Sequence, residues 1–262
     1  MSWEKTLGRV SFINCEPLYY GLDDSWKVLP APPSWLTGHL LRRDCIIAPI
    51  PAADYARNHE KLILLPEIGI SSKGEVGSVL LFSDKELKEL KTIATPSDSA
   101  TSVMLLKHLL ATKNLRPEYV EMGPDLEGML AKCDGCLLIG DRALEAAKLE
   151  PDMVKMDLGK EWKLTSGHPM VFGVFAARKD SDLQLVKKAH EALTQRLEQF
   201  ESSLQTRKEV IKSSSQKSSQ SHERLERYFG EVINRVDKED MTGLEAFLVQ
   251  ACGMTESPSI GW

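Results

Sequence analysis

Apolar and polar positions along the chain change period repeatedly, from short doubly apolar runs to stretches whose apolar side chains recur every three or four residues. The short runs predict strands at 9–13, 45–48, 62–65, 78–82, 92–94, 119–121, 136–139, 154–156 and 171–176. Apolar on both faces, they suit a covered, mostly parallel sheet. Between them, Ser34 precedes Trp35, Leu36, Leu40 and Leu41, Ser99 precedes Val103, Leu106, Leu109 and Leu110, and Asp125 precedes Leu126, Met129 and Leu130. A short polar side chain ahead of a helically spaced apolar set is a capping signal, because its oxygen accepts from N–H groups that the helix leaves unpaired. Beyond Asp180 strands are expected to stop, with helices at 183–200, 223–236 and 242–252. The segment 212–221, KSSSQKSSQS, reads on composition as a solvated loop or linker. The expected class is α/β with a helical C-terminal third.

At ~150 residues per domain, 262 residues make one large domain or two lobes, with ample core. Apolar residues at 42% and charged residues at 27% exclude a disordered chain. The balance of 33 basic and 38 acidic residues, with no like-charge block, argues against a nucleic acid or an anionic membrane as partner. No run approaches the ~20 apolar residues of a membrane span, and the N-terminus lacks the apolar core of a signal peptide. A cytoplasmic protein is the expectation. Cys15, Cys45, Cys133, Cys136 and Cys252 are odd in number and scattered, so reduced thiols are expected.

Standard catalytic signatures are missing. Gly69 to Gly74, GISSKG, has the glycine spacing of a phosphate loop, but Glu75 and Val76 stand where Lys and Ser or Thr are required. The six histidines never fall at metal-ligand spacing, so no metal and no cofactor is expected. Cys133 and Cys136 form a C-D-G-C pair, yet Cys136 begins an apolar run instead of opening a helix, which favours two buried thiols. What remains is a set of small polar residues at strand ends. Thr95 to Ser102, TPSDSATS, joins a strand to a helix start, where hydroxyls, N–H groups and the positive end of the helix dipole suit a carboxylate. Plain N-capping is the competing reading. Ser11 and Asn14, Ser71, Ser72 and Ser78, and Gly140 with Asp141 occupy comparable positions, and ligands of open α/β sheets gather at the carboxyl ends of strands.

These residues lie in longer strings: SFINCEPLYYGL, PIPAADYARN, LLPEIGISSKGEVGSVLLFS, ATPSDSATSVMLLKHLL, LLIGDRAL, and KEW ahead of TSGHPMVFGVFA. In this order they resemble the chorismate dehydratase family of the futalosine route to menaquinone, over most of Leu7 to Ala177, and YFGEVINRVDKEDMTGLEAFL is similar to the family's closing helices. On this resemblance the serine-rich stretch belongs to a folded helical region.

The resemblance implies a two-lobed fold like that of type 2 periplasmic binding proteins, with a ligand cleft between lobes that close by hinge motion. Lobe I is expected at 1–83 plus 171–262 and lobe II at 84–170. The implied partner is a small molecule, chorismate, which loses water to give 3-[(1-carboxyvinyl)oxy]benzoate, aromatisation supplying the driving force. Asn14 and Ser78 would then stand closest to the chemistry: Asn14 at the leaving hydroxyl or the ring, Ser78 on the enolpyruvyl carboxylate that the family's mechanism uses as its own base. Thr101 and Ser102 would grip a carboxylate, with Ser11, Ser71, Ser72, Gly140 and Asp141 lining the cleft. Glu16 and His168 are assigned no role, and Glu16 facing the cleft would offer a conventional base instead. Two other readings share the fold, a cytosolic sensor of small carboxylates and the sister enzyme 1,4-dihydroxy-6-naphthoate synthase. The strings INCEPLYY and LLIGDRAL argue against the latter.

Overall fold

The computed structural model describes residues 3–262. In chain order the strands are β1 (Thr6–Val10), β2 (Lys27–Ala31), β3 (Ile47–Pro51), β4 (Leu62–Ser72), β5 (Val79–Phe82), β6 (Thr92–Pro96), β7 (Glu118–Met122), β8 (Gly135–Ile139), β9 (Val154–Asp157), β10 (Met170–Arg178) and β11 (Ile233–Arg235). The helices are α1 (Glu16–Tyr19), α2 (Pro33–Leu41), α3 (Ala52–Asn58), α4 (Ala100–Thr112), α5 (Leu126–Leu130), α6 (Gly140–Leu149), α7 (Leu158–Ser166), α8 (Leu183–Ser202), α9 (Leu204–Lys217), α10 (His222–Glu231) and α11 (Lys238–Gln250). They build two sheets, ordered β11-β4-β10-β3-β1-β2 and β7-β6-β8-β5-β9.

Neither sheet is mostly parallel. β1 runs parallel to β2 and β3, and β6 parallel to β7 and β8, whereas β10 is antiparallel to β3 and β4 and β5 is antiparallel to β8 and β9. The reason is the chain path: it leaves the first sheet after β4, completes the second, and re-enters the first as β10 from the opposite end. The expected division at Ser83 differs from the sheet membership, since Val79–Phe82 already pairs within the second sheet and the crossing falls at 73–78.

Strand periodicity decides which core each side chain joins. Val79 and Leu81 of β5 face the main core together with Leu137 and Ile139, while Leu80 and Phe82 face a smaller cluster with Cys136, Leu138 and Met129. α4 buries Leu105, Leu106, Leu109 and Leu110 in the main core. Trp162 of α7 is fully buried, donates from Nε1 to the Pro169 carbonyl at 3.0 Å and meets His108 and Phe247 edge-on. The four cysteines Cys15, Cys45, Cys133 and Cys136 are buried and free, and Cys252 is half-buried and free.

The C-terminal third departs from expectation twice. The helix expected at 223–236 ends at Glu231 and gives way to β11, because Val232, Asn234 and Val236 are buried alternately and extend the edge of the first sheet. The serine-rich segment is helical through Lys217 as part of α9, with Ser215 Oγ donating to the Gln220 carbonyl beyond it. Carboxylate and hydroxyl caps fix the other starts: Asp182 accepts from Gln184 and Leu185 at α8, Ser221 from Arg224 at α10, and Asp237 forms a capping box with Asp240 at α11.

Candidate active site

A cavity lies between the sheets, where β1, β3, β6 and β8 hand over to the turns and helices that follow them. Its walls are largely apolar, with Phe12, Ile50, Ile70, Val79, Ile139 and Phe172 prominent, and its polar side chains are Asn14, Ser78, Ser99, Thr101 and Ser102. Among the described residues no ionisable side chain lines it.

Asn14 sits in the 3-10 turn Ile13–Cys15 that follows β1. It is 8% exposed, and its Oδ1 is buried with no hydrogen-bond partner. A desolvated, unpaired amide oxygen costs about 1–3 kcal/mol, which a ligand donor would offset. The turn is pinned from the second sheet's side: Ile13 N–H donates to both carboxylate oxygens of Asp141, at 3.1 and 3.3 Å. Burial pushes the Asp141 carboxyl up to about 6, against the lowering effect of that N–H.

Ser78 closes the crossing from β4 to β5. Its Oγ accepts from the Tyr228 hydroxyl at 3.0 Å and stands 3.4 Å from the Val76 carbonyl, while its own carbonyl accepts from Gly140 N–H at 2.7 Å. Gly140 has φ +61, and a Cβ there would lie 2.6 Å from the Phe12 ring. Only glycine suits both the left-handed backbone and that approach. Asp157 fastens the same crossing, accepting from Val76 N–H at 3.1 Å, Gly77 N–H at 2.8 Å and Lys160 N–H at 3.0 Å; burial nonetheless raises its carboxyl.

Thr101 and Ser102 form the first turn of the 13-residue α4 and line the cavity. Ser99, at the cap position, makes no side-chain capping bond, and Thr101 Oγ1 instead accepts from Ala53 N–H at 3.1 Å, across from α3. The hydroxyls at this helix start therefore face a ligand space and the opposing half of the molecule, not their own helix.

The structure thus brings Asn14, Ser78, Thr101, Ser102 and Gly140 together and leaves four candidates outside. Ser11 is exposed, its N–H on the Ala31 carbonyl at 3.2 Å. Ser71 is fully buried in β4, with Oγ 3.4 Å from the Ile233 carbonyl of β11. Ser72 spends its hydroxyl on the Gly74 and Glu75 carbonyls, at 2.8 Å each, and shapes the turn. Asp141 acts from behind, through Ile13. Glu16 is also turned away: it is buried and ion-paired with Arg9 and with Lys217, the latter at 2.6 Å. His168 does not line the cavity.

Sequence reasoning did not find Tyr228. The helical spacing of Leu225, Tyr228 and Phe229 marks a buried face, but nothing local indicates that the phenol meets a hydroxyl 150 residues away. Tyr228 is fully buried, and burial holds its phenol well above the usual range, so it keeps its hydrogen as a donor. Cys15, directly after Asn14, is pushed up to about 12 by burial and is no nucleophile.

Residues 5–252 match the family described as Menaquinone biosynthesis. The chain belongs to that family. The curated chorismate dehydratase of Thermus thermophilus is 30% identical to this chain over 270 residues, 96% of each chain. Solved structures agree on the fold. A protein of Archaeoglobus fulgidus has a TM-score of 0.72 at 18% identity, covering 95% of this chain and 97% of its own. A Candida albicans protein with the generic periplasmic binding protein fold has a TM-score of 0.68 at 14% identity, covering 96% and 91%. The alkanesulfonate-binding protein SsuA of Xanthomonas axonopodis pv. citri, bound to MOPS, has a TM-score of 0.66 at 15% identity, covering 97% and 95%. The α/β chain with its two sheets and helical C-terminal region has the periplasmic-binding-protein-like fold expected from the sequence. No helix among the described residues is long and apolar enough to cross a membrane.

Proposed function

We propose that the protein is a chorismate dehydratase that converts chorismate to 3-[(1-carboxyvinyl)oxy]benzoate and water. The observation that carries this reading is the lining of the cavity, with neutral polar groups at opposite walls and no ionisable side chain, in a chain similar over nearly its whole length to a chorismate dehydratase. Chorismate bears a ring carboxylate, an enolpyruvyl ether and a hydroxyl on neighbouring ring carbons. Loss of the hydrogen on the ether-bearing carbon and of hydroxide from the next carbon forms the third ring double bond. The ring becomes aromatic, so the protein needs only to orient the substrate, exclude water and stabilise charge that moves.

With no carboxylate, imidazole or amine in the wall, the base is the substrate's enolpyruvyl carboxylate, which reaches the ring hydrogen through a six-membered arrangement; the proton leaves with the hydroxide as water. Ser78 grips that carboxylate. Thr101 and Ser102 hold the ring carboxylate at the positive end of α4. Asn14 serves the leaving hydroxyl, an amide being able to donate and accept at once. Phe12 and Phe172 flank the apolar ring, and the two lobes close around it. Purified protein mixed with chorismate should yield a product lighter by one water, carrying an intact enolpyruvyl ether on an aromatic ring, as read by chromatography with mass detection. Chorismate bound but unchanged by folded protein would replace this reading with that of a carboxylate sensor.

A further inference from the structure

We infer that Tyr228 is a positioning residue that fixes the Ser78 hydroxyl as a donor into the cavity and thereby makes this wall selective for an anionic oxygen. The inference deepens the proposed function and rests on its placement of a carboxylate at Ser78.

A serine hydroxyl is adaptable: it has one hydrogen to give and lone pairs that can receive, and it rotates to suit its neighbour. At Ser78 that freedom is removed. The Tyr228 phenol, itself fully buried, points its oxygen at Ser78 Oγ from 3.0 Å. Ser78 is only 3% exposed and also lines the cavity. The carbonyl of Val76 lies 3.4 Å from Oγ, at the outer limit of a hydrogen bond for a hydroxyl. With a lone pair filled by Tyr228 and only the long contact to the Val76 carbonyl holding its hydrogen, Ser78 can turn that hydrogen to a better acceptor that occupies the cavity. A hydroxyl that already accepts is also a stronger donor, because hydrogen bonds in a chain polarise one another. Burial keeps the phenol protonated, so it retains the hydrogen that it gives to Ser78.

The surroundings hold this geometry. The Ser78 carbonyl is fixed by Gly140 N–H at 2.7 Å, the crossing ahead of it by Asp157, and Tyr228 by the α10 face it shares with Leu225 and Phe229. Val232, just past the end of α10, lines the cavity as well. The C-terminal region therefore reaches the site through Val232 and, behind Ser78, through Tyr228. A ligand carboxylate meets a matched donor here; an ester or amide in its place loses the charge-assisted part of the contact.

The experiment compares Tyr228→Phe with wild type for two ligands, 3-[(1-carboxyvinyl)oxy]benzoate and its methyl ester at the enolpyruvyl carboxyl. The readout is the ratio of their dissociation constants by calorimetry. Loss of the phenol donor should reduce the preference for the free acid about tenfold, the scale of one hydrogen bond, and raise KM for chorismate more than it lowers kcat. A purely structural role would weaken both ligands equally and leave the ratio unchanged, which overturns the inference. In a second arm, Ser78→Ala is combined with Tyr228→Phe. Non-additive losses are expected, since one residue acts through the other, and additive losses would overturn the inference. Should Tyr228→Phe not fold, a fluorinated tyrosine at 228, a stronger donor of nearly the same shape, should increase the acid preference, and an unchanged ratio again refutes it. Failure of the proposed function is distinguishable, because it appears as absence of turnover in the wild type, whereas failure of this inference appears only in the variants.

Discussion

Asn14→Ala separates a working amide from a turn former. If Asn14 served the turn, its side chain would bond the local backbone and its loss would destabilise the fold. The structure gives the 3-10 turn no side-chain cap and leaves Asn14 Oδ1 buried without a partner. Truncation to alanine thus removes an unsatisfied acceptor, a relief of about 1–3 kcal/mol, against a packing loss of similar size for the deleted atoms. The two nearly cancel. With roughly 2–4 °C of melting temperature per kcal/mol in a chain of this size, the variant should melt within about 3 °C of wild type. Turnover should respond quite differently. If the amide gains its contact as the carbon–oxygen bond breaks, its removal takes away about 2.7–4 kcal/mol of transition-state stabilisation, a fall of ~100- to 1000-fold in kcat with little change in KM. Steady-state kinetics on chorismate beside a thermal melt decides the matter. A melting point lowered by more than about 6 °C with near-normal turnover per folded molecule would refute the reasoning and return Asn14 to the turn.

Other perturbations test the supports of the site. Gly140→Ala places a methyl group 2.6 Å from the Phe12 ring on a φ of +61, so it should lose roughly 2–5 kcal/mol and about 5–15 °C of melting temperature; an unaltered melt would mean that Phe12 yields freely. Thr101→Val orphans Ala53 N–H and should cost about 1–3 kcal/mol of stability, whereas Ser102→Ala should leave the melt nearly unchanged and weaken product affinity by about tenfold, as calorimetry would read. Asp141, raised from 3.8 to about 6 in the folded state, binds its proton more tightly than in the unfolded chain, so its contribution to stability is present below about pH 4 and lost as pH rises to about 6. Asp141→Asn keeps an acceptor for Ile13 and should remove that slope: the melting temperature of the variant relative to wild type should climb between pH 4 and 6 and level off above. A flat difference across the window would refute the assignment.

Most elements were legible because their apolar runs are long enough to declare a period. The two missed strands lack such runs for identifiable reasons. β2, KVLPA, is an edge strand that pairs only with β1 and leaves its first two residues exposed, so it offers neither a double apolar run nor a clean alternation. β11 carries a period of two at Val232, Asn234 and Val236, but the helical set from Leu225 through Phe229 runs straight into it, and without the neighbouring β4 edge the longer pattern wins. For the site, proximity to a strand end located Asn14, Ser78, Thr101, Ser102 and Gly140. It did not tell them from Ser71 and Ser72, which are equally buried hydroxyls at the end of β4 but lie outside the cavity, Ser71 toward β11 and Ser72 with its hydrogen on the backbone carbonyls of its own turn. The sense in which a hydroxyl points depends on which carbonyl its own fold leaves nearby, and that is a tertiary fact.

The residues that face the ligand space are also those that join the two sides of it. Thr101 lines the cavity and accepts from Ala53; the turn carrying Asn14 is held by Asp141 through Ile13; Ser34 N–H reaches the Asp98 carbonyl at 3.3 Å, and Pro33 beside it lines the cavity. Asn14 and Ala53 belong with the first sheet, Asp141, Asp98 and Thr101 with the second. Each link is a single hydrogen bond or a forked one, worth about 0.5–1.5 kcal/mol net, so a few of them hold the halves together only weakly by themselves. Under the proposed function, a substrate held at α4 and Ser78 on the second sheet's side and met by Asn14 from the first adds contacts to both halves at once, and its binding energy then favours the closed arrangement in which water is excluded. Closure and grip become one equilibrium. In a wall without charged side chains this coupling is what a dianion requires: neutral donors are weak against bulk water and become strong only when the cavity is shut and dry.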